Sequence, residues 1–397
     1  MEEICMVKKP FLGIIFVLLT LPLSLLEAQV SDKLELENLP RYDRTVMLET
    51  TSETSANVAF GDLDGDGNLD IVLAKGRHWP LINRVLLGDG KGGVIESHDL
   101  SAVADRSYSG RLADIDKDGD LDVVVSNDRP DSKLVHLNDG KGFFQVGSEF
   151  GRAEWSTRNA SVADLNKDGL PDIVVANRSG RNARANYLCI NKGKGKFDAD
   201  CIAFSHYSTT TITPADFNGD GLADLAVPHR DGGQSYVYIQ TEKDGFDFRQ
   251  IPFGPPEASI RMSQVADFDK DGRMDVVTID TKLGVMIYFQ HAKDSFSSGM
   301  SIGKQTARPY ALAVSDLNLD GVSDIIVGYV EAPSVVYFNG GSGSSFTPVP
   351  FGDDQGSVYG FGIGDFNKDQ QPDIAAARSG AENVVYLAHT SSLTKAK

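Results

Sequence analysis

Helical periodicity is missing from this chain. No segment carries apolar residues at a sustained three- and four-residue spacing, which excludes a helical bundle. Positive charge is short as well: 38 Lys and Arg stand against 56 Asp and Glu, a net charge of −18. Without a basic excess there is no surface for phosphate contacts, so nucleic acid is not the expected partner. Cysteine is scarce, three in 397 residues, too few for a disulfide-stapled scaffold. Catalytic signatures are lacking too: there is no G-x-S-x-G and no H-E-x-x-H. "GKGK" at 193–196 falls in a hairpin turn rather than a phosphate loop, and the seven histidines do not cluster.

Long apolar runs are confined to one place. "PFLGIIFVLLTLPLSLL", Pro10 to Leu26, follows Lys8 and Lys9 and precedes Ala28. This reads as a secretory signal over residues 1–28, with a retained anchor as the alternative; Pro22 and the short length weigh against a membrane span. The expected location is secreted, periplasmic or extracellular. Cys189 and Cys201 flank "INKGKGKFDAD", a hairpin turn centred near Gly195. Antiparallel pairing sets them opposite each other, in position for a disulfide in an oxidising compartment; two buried thiols are the alternative.

What is present is a repeat. "DLDGDGNLDIVLA" at 62–74 recurs in outline from Asp114, Asp164, Asp216, Asp267, Asp316 and Asp365, at spacings of 52, 50, 52, 51, 49 and 49 residues. Each copy carries a short alternating segment, the acidic loop, a β-branched run such as Val123 to Val125, and an aromatic run such as "YVYI". A Gly/Asn/Asp turn and a fourth alternating segment complete it. Four short strands per unit at this period predict an all-β, seven-bladed β-propeller over residues 29–397. After the last loop only "IAAA" and "NVVYLA" remain, while "RYDRTVMLETT", Arg41 to Thr51, precedes the first. The N-terminal strand is therefore expected to complete the last blade and close the ring.

The loop reads D-x-[D/N]-x-D-G-x-x-D. Position 1 is Asp62, Asp114, Asp164, Asp216, Asp267, Asp316 and Asp365; position 3 is Asp64, Asp116, Asn166, Asn218, Asp269, Asn318 and Asn367. Position 5 is Asp66, Asp118, Asp168, Asp220, Asp271, Asp320 and Asp369; position 9 is Asp70, Asp122, Asp172, Asp224, Asp275, Asp324 and Asp373. A backbone carbonyl at position 7 (Asn68, Asp120, Leu170, Leu222, Arg273, Val322) completes an oxygen cage of the kind Ca2+ takes, with Mg2+ the weaker candidate. Seven divalent ions would offset 14 of the 18 net negative charges. Position 12, where an EF-hand needs Glu, holds Leu73, Val125, Val175, Val227, Thr278, Val327 and Ala376, so that reading fails; Asp at 9 is expected in the bidentate role. Gly at position 6 supplies the left-handed turn, but the seventh loop has Gln370 there, which makes its site the doubtful one of up to seven. Asx turns that need no metal are the plainer alternative for any single loop.

"AFGDLDGDGNLDIVLA" and "VADLNKDGLPDIVVAN" resemble FG-GAP repeats, also described as VCBS-type repeats, and are similar to the calcium-bearing blades of integrin α-subunit propellers. The resemblance implies a secreted propeller with Ca2+ between the first and second strands of each blade. It implies no single activity: such propellers serve as adhesion heads, lectin-like binders and scaffolds within polysaccharide lyases.

Loops on the face away from the acidic loops carry the candidate ligand residues. After each second strand come Arg77, Arg129, Arg178, Arg230, Lys282 and Arg378, with His78, Trp79 and His229 beside them; the sixth blade has Glu331 instead. Six residues before each acidic loop come Ala56, Tyr108, Arg158, Thr210, Arg261, Tyr310 and Tyr359, expected around the channel mouth. Arg forks hold carboxylate or sulfate, and aromatic faces stack on sugar rings, so a glycan or extracellular protein is the expected ligand. Solvated rim loops that simply contain Arg are the plainer reading. A lyase or hydrolase that assembles Tyr108, Arg158, His206 and His229 across blades is the alternative function; no catalytic residue is assigned.

Overall fold

The β-branched and aromatic runs form strands because branched side chains pack well on a pleated, buried surface. The computed structural model describes residues 38–178, 185–243, 245–292, 294–303 and 307–390; residues 1–28, expected from the sequence to be a secretory signal, lie outside them. Among the described residues there are seven four-stranded antiparallel sheets and no helical element. The first blade runs Ser55–Gly61, Asp70–Lys75, Arg84–Gly88, Val94–Asp99, and the others repeat that order.

The first strands are Ser55–Gly61, Ser107–Ala113, Thr157–Ala163, Thr213–Ala215, Ile260–Ala266, Pro309–Ser315 and Ser357–Gly364. Each packs beside the next, and the last packs beside the first, so they line a closed central channel. Closure is by Arg41–Met47, which pairs antiparallel with Val384–His389 as the outer strand of the seventh blade. Buried Lys75 of the first blade ties down the residues after that strand, pairing with Glu49 and with Glu53 at 2.7 Å. The fifth blade departs from the pattern: its outer strand is only Met300–Ser301, and a separate ribbon, Gln290–Ala292 with Ser295–Phe296, precedes it.

Apolar side chains fill the wedges between blades. Ile71, Leu73 and Leu86 of the first blade meet Phe366, Ala375 and Val385 of the seventh, all buried. Position 2 of every acidic loop is an apolar plug: Leu63, Ile115, Leu165, Phe217, Phe268, Leu317 and Phe366 are all buried. In five places the carbonyl of that plug accepts a side-chain amide N–H from the next blade: Asn138 to Leu63 (2.8 Å), Asn191 to Ile115 (2.8 Å), Gln240 to Leu165 (3.0 Å), Gln290 to Phe217 (3.1 Å) and Asn339 to Phe268 (2.8 Å). The acidic loops are thus latched to neighbouring blades, which links their geometry to ring assembly.

Candidate functional site

Each acidic loop folds around its own carboxylates. In the first, Asp62 accepts the N–H groups of Gly65 and Gly67, both at 2.9 Å, and Asp66 accepts that of Asn68 at 2.7 Å. Position 6 has φ between 79° and 104° at its six glycines, and Gln370 adopts 69° in the seventh loop. Position 4 is left-handed as well, even at Lys117, Lys167, Lys270, Leu319 and Lys368.

At position 9 the carboxylate also serves the fold. Asp70 is buried, and its two oxygens accept the backbone N–H groups of Leu63 (2.7 Å) and Gly88 (2.8 Å). The same two bonds recur at Asp122, Asp172, Asp224, Asp275, Asp324 and Asp373. This carboxylate staples the loop to the third strand or to the residues just after it, and only its remaining lone pairs can face an ion. Burial pushes these carboxyls up, to about 6 at Asp70 and about 7 at Asp275 and Asp324.

Ligand atoms of Asp62, Asp64 and Asp66, of Asp114, Asp116 and Asp122, and of Asp267, Asp269 and Asp271 each lie within 4.8 Å of one another. Asp114 Oδ1 is buried with no hydrogen-bond partner. Asp64, Asp116 and Asp269 are pushed up by partial burial and then by neighbouring carboxylates. An orphaned oxygen among converging carboxylates fits a hard divalent cation, which would supply the missing positive charge. In loops with Asn at position 3, the amide donates to the position 5 carboxylate, as Asn166 does to Asp168 at 3.0 Å, so those cages carry one charge less.

The opposite end of the channel holds the second site. Six of the seven first strands contain one residue too many for their partner. Tyr108 falls between the pairs Ser107–Asn127 and Ser109–Ser126, and Ala56, Arg158, Arg261, Tyr310 and Tyr359 occupy the same place in their blades. A bulge residue is unpaired and re-aims its side chain. Here the bulges line a cavity of about 310 Å³ at the channel mouth, together with Arg77, Arg178 and His78 from the loops above. The Arg77 guanidinium lies 3.5 Å from the Tyr359 ring centroid and 5.2 Å from that of Tyr108, and Arg158 lies 4.2 Å from the Tyr108 ring. Asp128 pairs with Arg158 at 2.8 Å and Asp231 with Arg178 at 3.2 Å. No carboxylate lines the cavity among the described residues.

Family models for an FG-GAP-like repeat match residues 62–125, 114–175, 164–227, 216–278, 267–327 and 316–376. The chain belongs to the FG-GAP-like repeat family. This FG-GAP propeller matches no curated protein by sequence. In fold it is similar to BBS1N in two crystal structures of its complex with ARL6DN, one soaked with mercury and one with lead. Identity is 15% and 14%, TM-score 0.58 in both, covering 88% of this chain and 97% of the other.

The FG-GAP propeller brings together Arg77, Arg178, Tyr108, Arg158, Arg261, Tyr310 and Tyr359. Arg129, Arg230 and Arg378 do not line the cavity. Arg378 is buried against Asp353 at 2.7 Å, Arg230 donates to Ser259 Oγ at 3.1 Å, and Arg129 directs its backbone N–H to Asp128. His206 and His229 are also outside it, and His78 takes the place beside Tyr108, its Nδ1 3.1 Å from the phenol oxygen. Burial and then Arg77 and Arg158 lower His78, while burial raises Tyr108 against the pull of the same two arginines. Arg111, unremarked in sequence, lines the cavity too; its only signal was its place three residues beyond Tyr108 on a channel-lining strand. Cys189 and Cys201 form a disulfide with Cα atoms 4.5 Å apart.

Proposed function

We propose that this FG-GAP propeller is a secreted, calcium-binding module that takes an anionic glycan, or an acidic segment of an extracellular protein, at its channel mouth. One observation carries the reading: five arginines and three tyrosines of the described residues converge on one cavity with no carboxylate in its lining. On a chain of net charge −18 that convergence focuses positive potential where a ligand enters. The cavity volume lies at the small end of ligand sites, matching one or two sugar residues. The disulfide supports an oxidising location, and the carboxylate cages support calcium as a fold-stabilising ion. Adhesion or carbohydrate capture is the activity this arrangement serves. A glycan array probed with and without chelator tests it: selective binding of sulfated or uronate-bearing glycans is expected, and a featureless array excludes it.

A second reading has one observation in its favour. The His78–Tyr108 contact lies beside Arg77 and Arg158, the grouping of base, acid and carboxylate clamp that β-elimination of a uronate needs. New ultraviolet absorbance on incubation with acidic polysaccharides would support a lyase; its absence leaves the binding module.

A further inference from the structure

Arg111 lies on the first strand of the second blade, three residues along from Tyr108. It is partly buried in the channel wall. Arg77 and Arg261 face aromatic rings, and Arg158 and Arg178 face carboxylates. Arg111 has none of these: among the described residues no ion pair, ring or hydrogen bond reaches its guanidinium. A guanidinium stays charged and offers five N–H donors in a planar fork. Taking it out of bulk water without a partner is unfavourable.

A second group on the same wall is also unmatched. Asn159, on the neighbouring blade's first strand, is nearly buried, and its Oδ1 has no partner. The two ends of an amide are interchangeable by a flip, so Asn159 can present an N–H to the channel. Arg111, Asn159 and Gln264 line both the mouth cavity and a further chamber of about 240 Å³ along the channel. Neither space has a carboxylate in its lining among the described residues.

We propose that Arg111, with Asn159 and Gln264 beside it, seats one oxyanion, a sulfate or carboxylate, inside the channel. The proposal rests on the reading of the mouth as an anionic-ligand site and deepens it. The ligand does not only lie across the face; it projects an anionic group down the axis. A fork matches an oxyanion with two parallel hydrogen bonds, and the arginines at the mouth draw the anion inward. Burial lowers the Arg111 pKa, and an oxyanion beside the guanidinium would oppose that shift.

The test is calorimetry on the full chain. Sodium sulfate and sodium glucuronate are titrated separately against sodium chloride of equal ionic strength, followed by a sulfated and a uronate-bearing oligosaccharide. Expected is saturable binding of one sulfate or glucuronate per chain, weakened tenfold or more in Arg111→Met and little changed in Arg249→Met, whose site on the outer strand of the fourth blade is away from both cavities. Arg111→Met removes an unmatched charge, so it should melt no lower than the wild type, which shows that it folds. Equal sulfate and glucuronate affinity in Arg111→Met and wild type, or no saturable binding by wild type, overturns the seat. If the free ions bind through Arg111 but neither oligosaccharide binds, the seat stands and the glycan reading falls. If an oligosaccharide binds both proteins equally, the glycan reading stands and the seat falls.

Discussion

The guanidinium of Arg261 lies 3.2 Å from the centroid of the Tyr310 ring, and its Nε donates to the Tyr310 carbonyl at 2.9 Å. Burial lowers Arg261; burial would raise Tyr310, but the charges of Arg261, Arg77 and Arg230 outweigh it and bring the phenol below its ordinary value. From this pair a chain of contacts runs around the mouth. Tyr310 meets Tyr359 edge to face at 4.9 Å, Tyr359 carries Arg77, and Arg77 and Arg158 share Tyr108.

Tyr359 is the middle of that chain, so its removal frees both halves. Tyr359→Ala is expected to lose about 1–2 kcal/mol of stability, one aromatic pair and one cation–π contact. Affinity for an anionic ligand should fall about tenfold as Arg77 loses its fixed position. Tyr359→Phe keeps the ring and should match wild type in both. Urea denaturation and the glycan titration measure the two effects; an unaltered Tyr359→Ala excludes the chain as an organising element.

Calcium removal is the second prediction. An ion held at about 100 times its dissociation constant stabilises by about 2.7 kcal/mol per site. Several sites acting together should make chelation lower the melting temperature by more than about 10 °C. Asp66→Ala should remove one ion from the total counted by elemental analysis, since Asp62, Asp64 and Asp66 converge on one point. An unchanged melt after verified metal removal excludes structural calcium.

The third prediction concerns backbone conformation alone. Gly169, at φ 86°, has nothing within 4 Å of the place a Cβ would occupy. Gly169→Ala therefore costs about 1 kcal/mol from left-handed strain without a clash. Gln370 occupies the equivalent position at φ 69°. Gln370→Gly should gain roughly 0.5–1 kcal/mol, less than the strain relieved because glycine loosens the unfolded chain. Equilibrium unfolding of both variants checks the opposite signs.

Much of this was readable from residue order because a fixed period copies every strand and loop. The seven acidic loops, the closing strand from Arg41 and the mouth residues from Tyr108 to Tyr359 all follow from counting. What counting misses are contacts between residues far apart in the chain. Asn138 looks like an ordinary turn residue until its amide meets the Leu63 carbonyl, 75 residues away. The bulge that turns Arg158 into the mouth leaves no mark in local sequence, since it depends on the strand opposite. Lys117 gives no hint of its left-handed φ of 66°, which the folding of the loop around Asp114 and Asp116 imposes against its preference. Arg111 reads as one more alternating polar residue until the ring closes around it.

The last prediction is acid sensitivity at two buried histidines. His136 lies opposite Val123 and Val146 in the second blade, and its Nδ1 has no partner. Burial pushes its pKa from 6.5 down to about 4, and His229 is pushed down to about 4 in the same way. Between those values the unfolded chain binds a proton that the native chain refuses. Stability from each neutral histidine is therefore complete above about pH 6.5 and declines as pH falls toward about 4. At about pH 5 the loss is about 2 kcal/mol per histidine. The stapling carboxylates at position 9 act in the opposite direction, because their raised pKa values favour the native state as pH falls. They are shared by wild type and variant, so a difference measurement cancels them. Urea melts of wild type and His136→Leu at about pH 7.5 and about pH 5 should show the gap moving by about 2 kcal/mol toward the variant. Parallel pH dependence in the two proteins would mean that His136 titrates alike in the folded and unfolded chain, against its burial between strands.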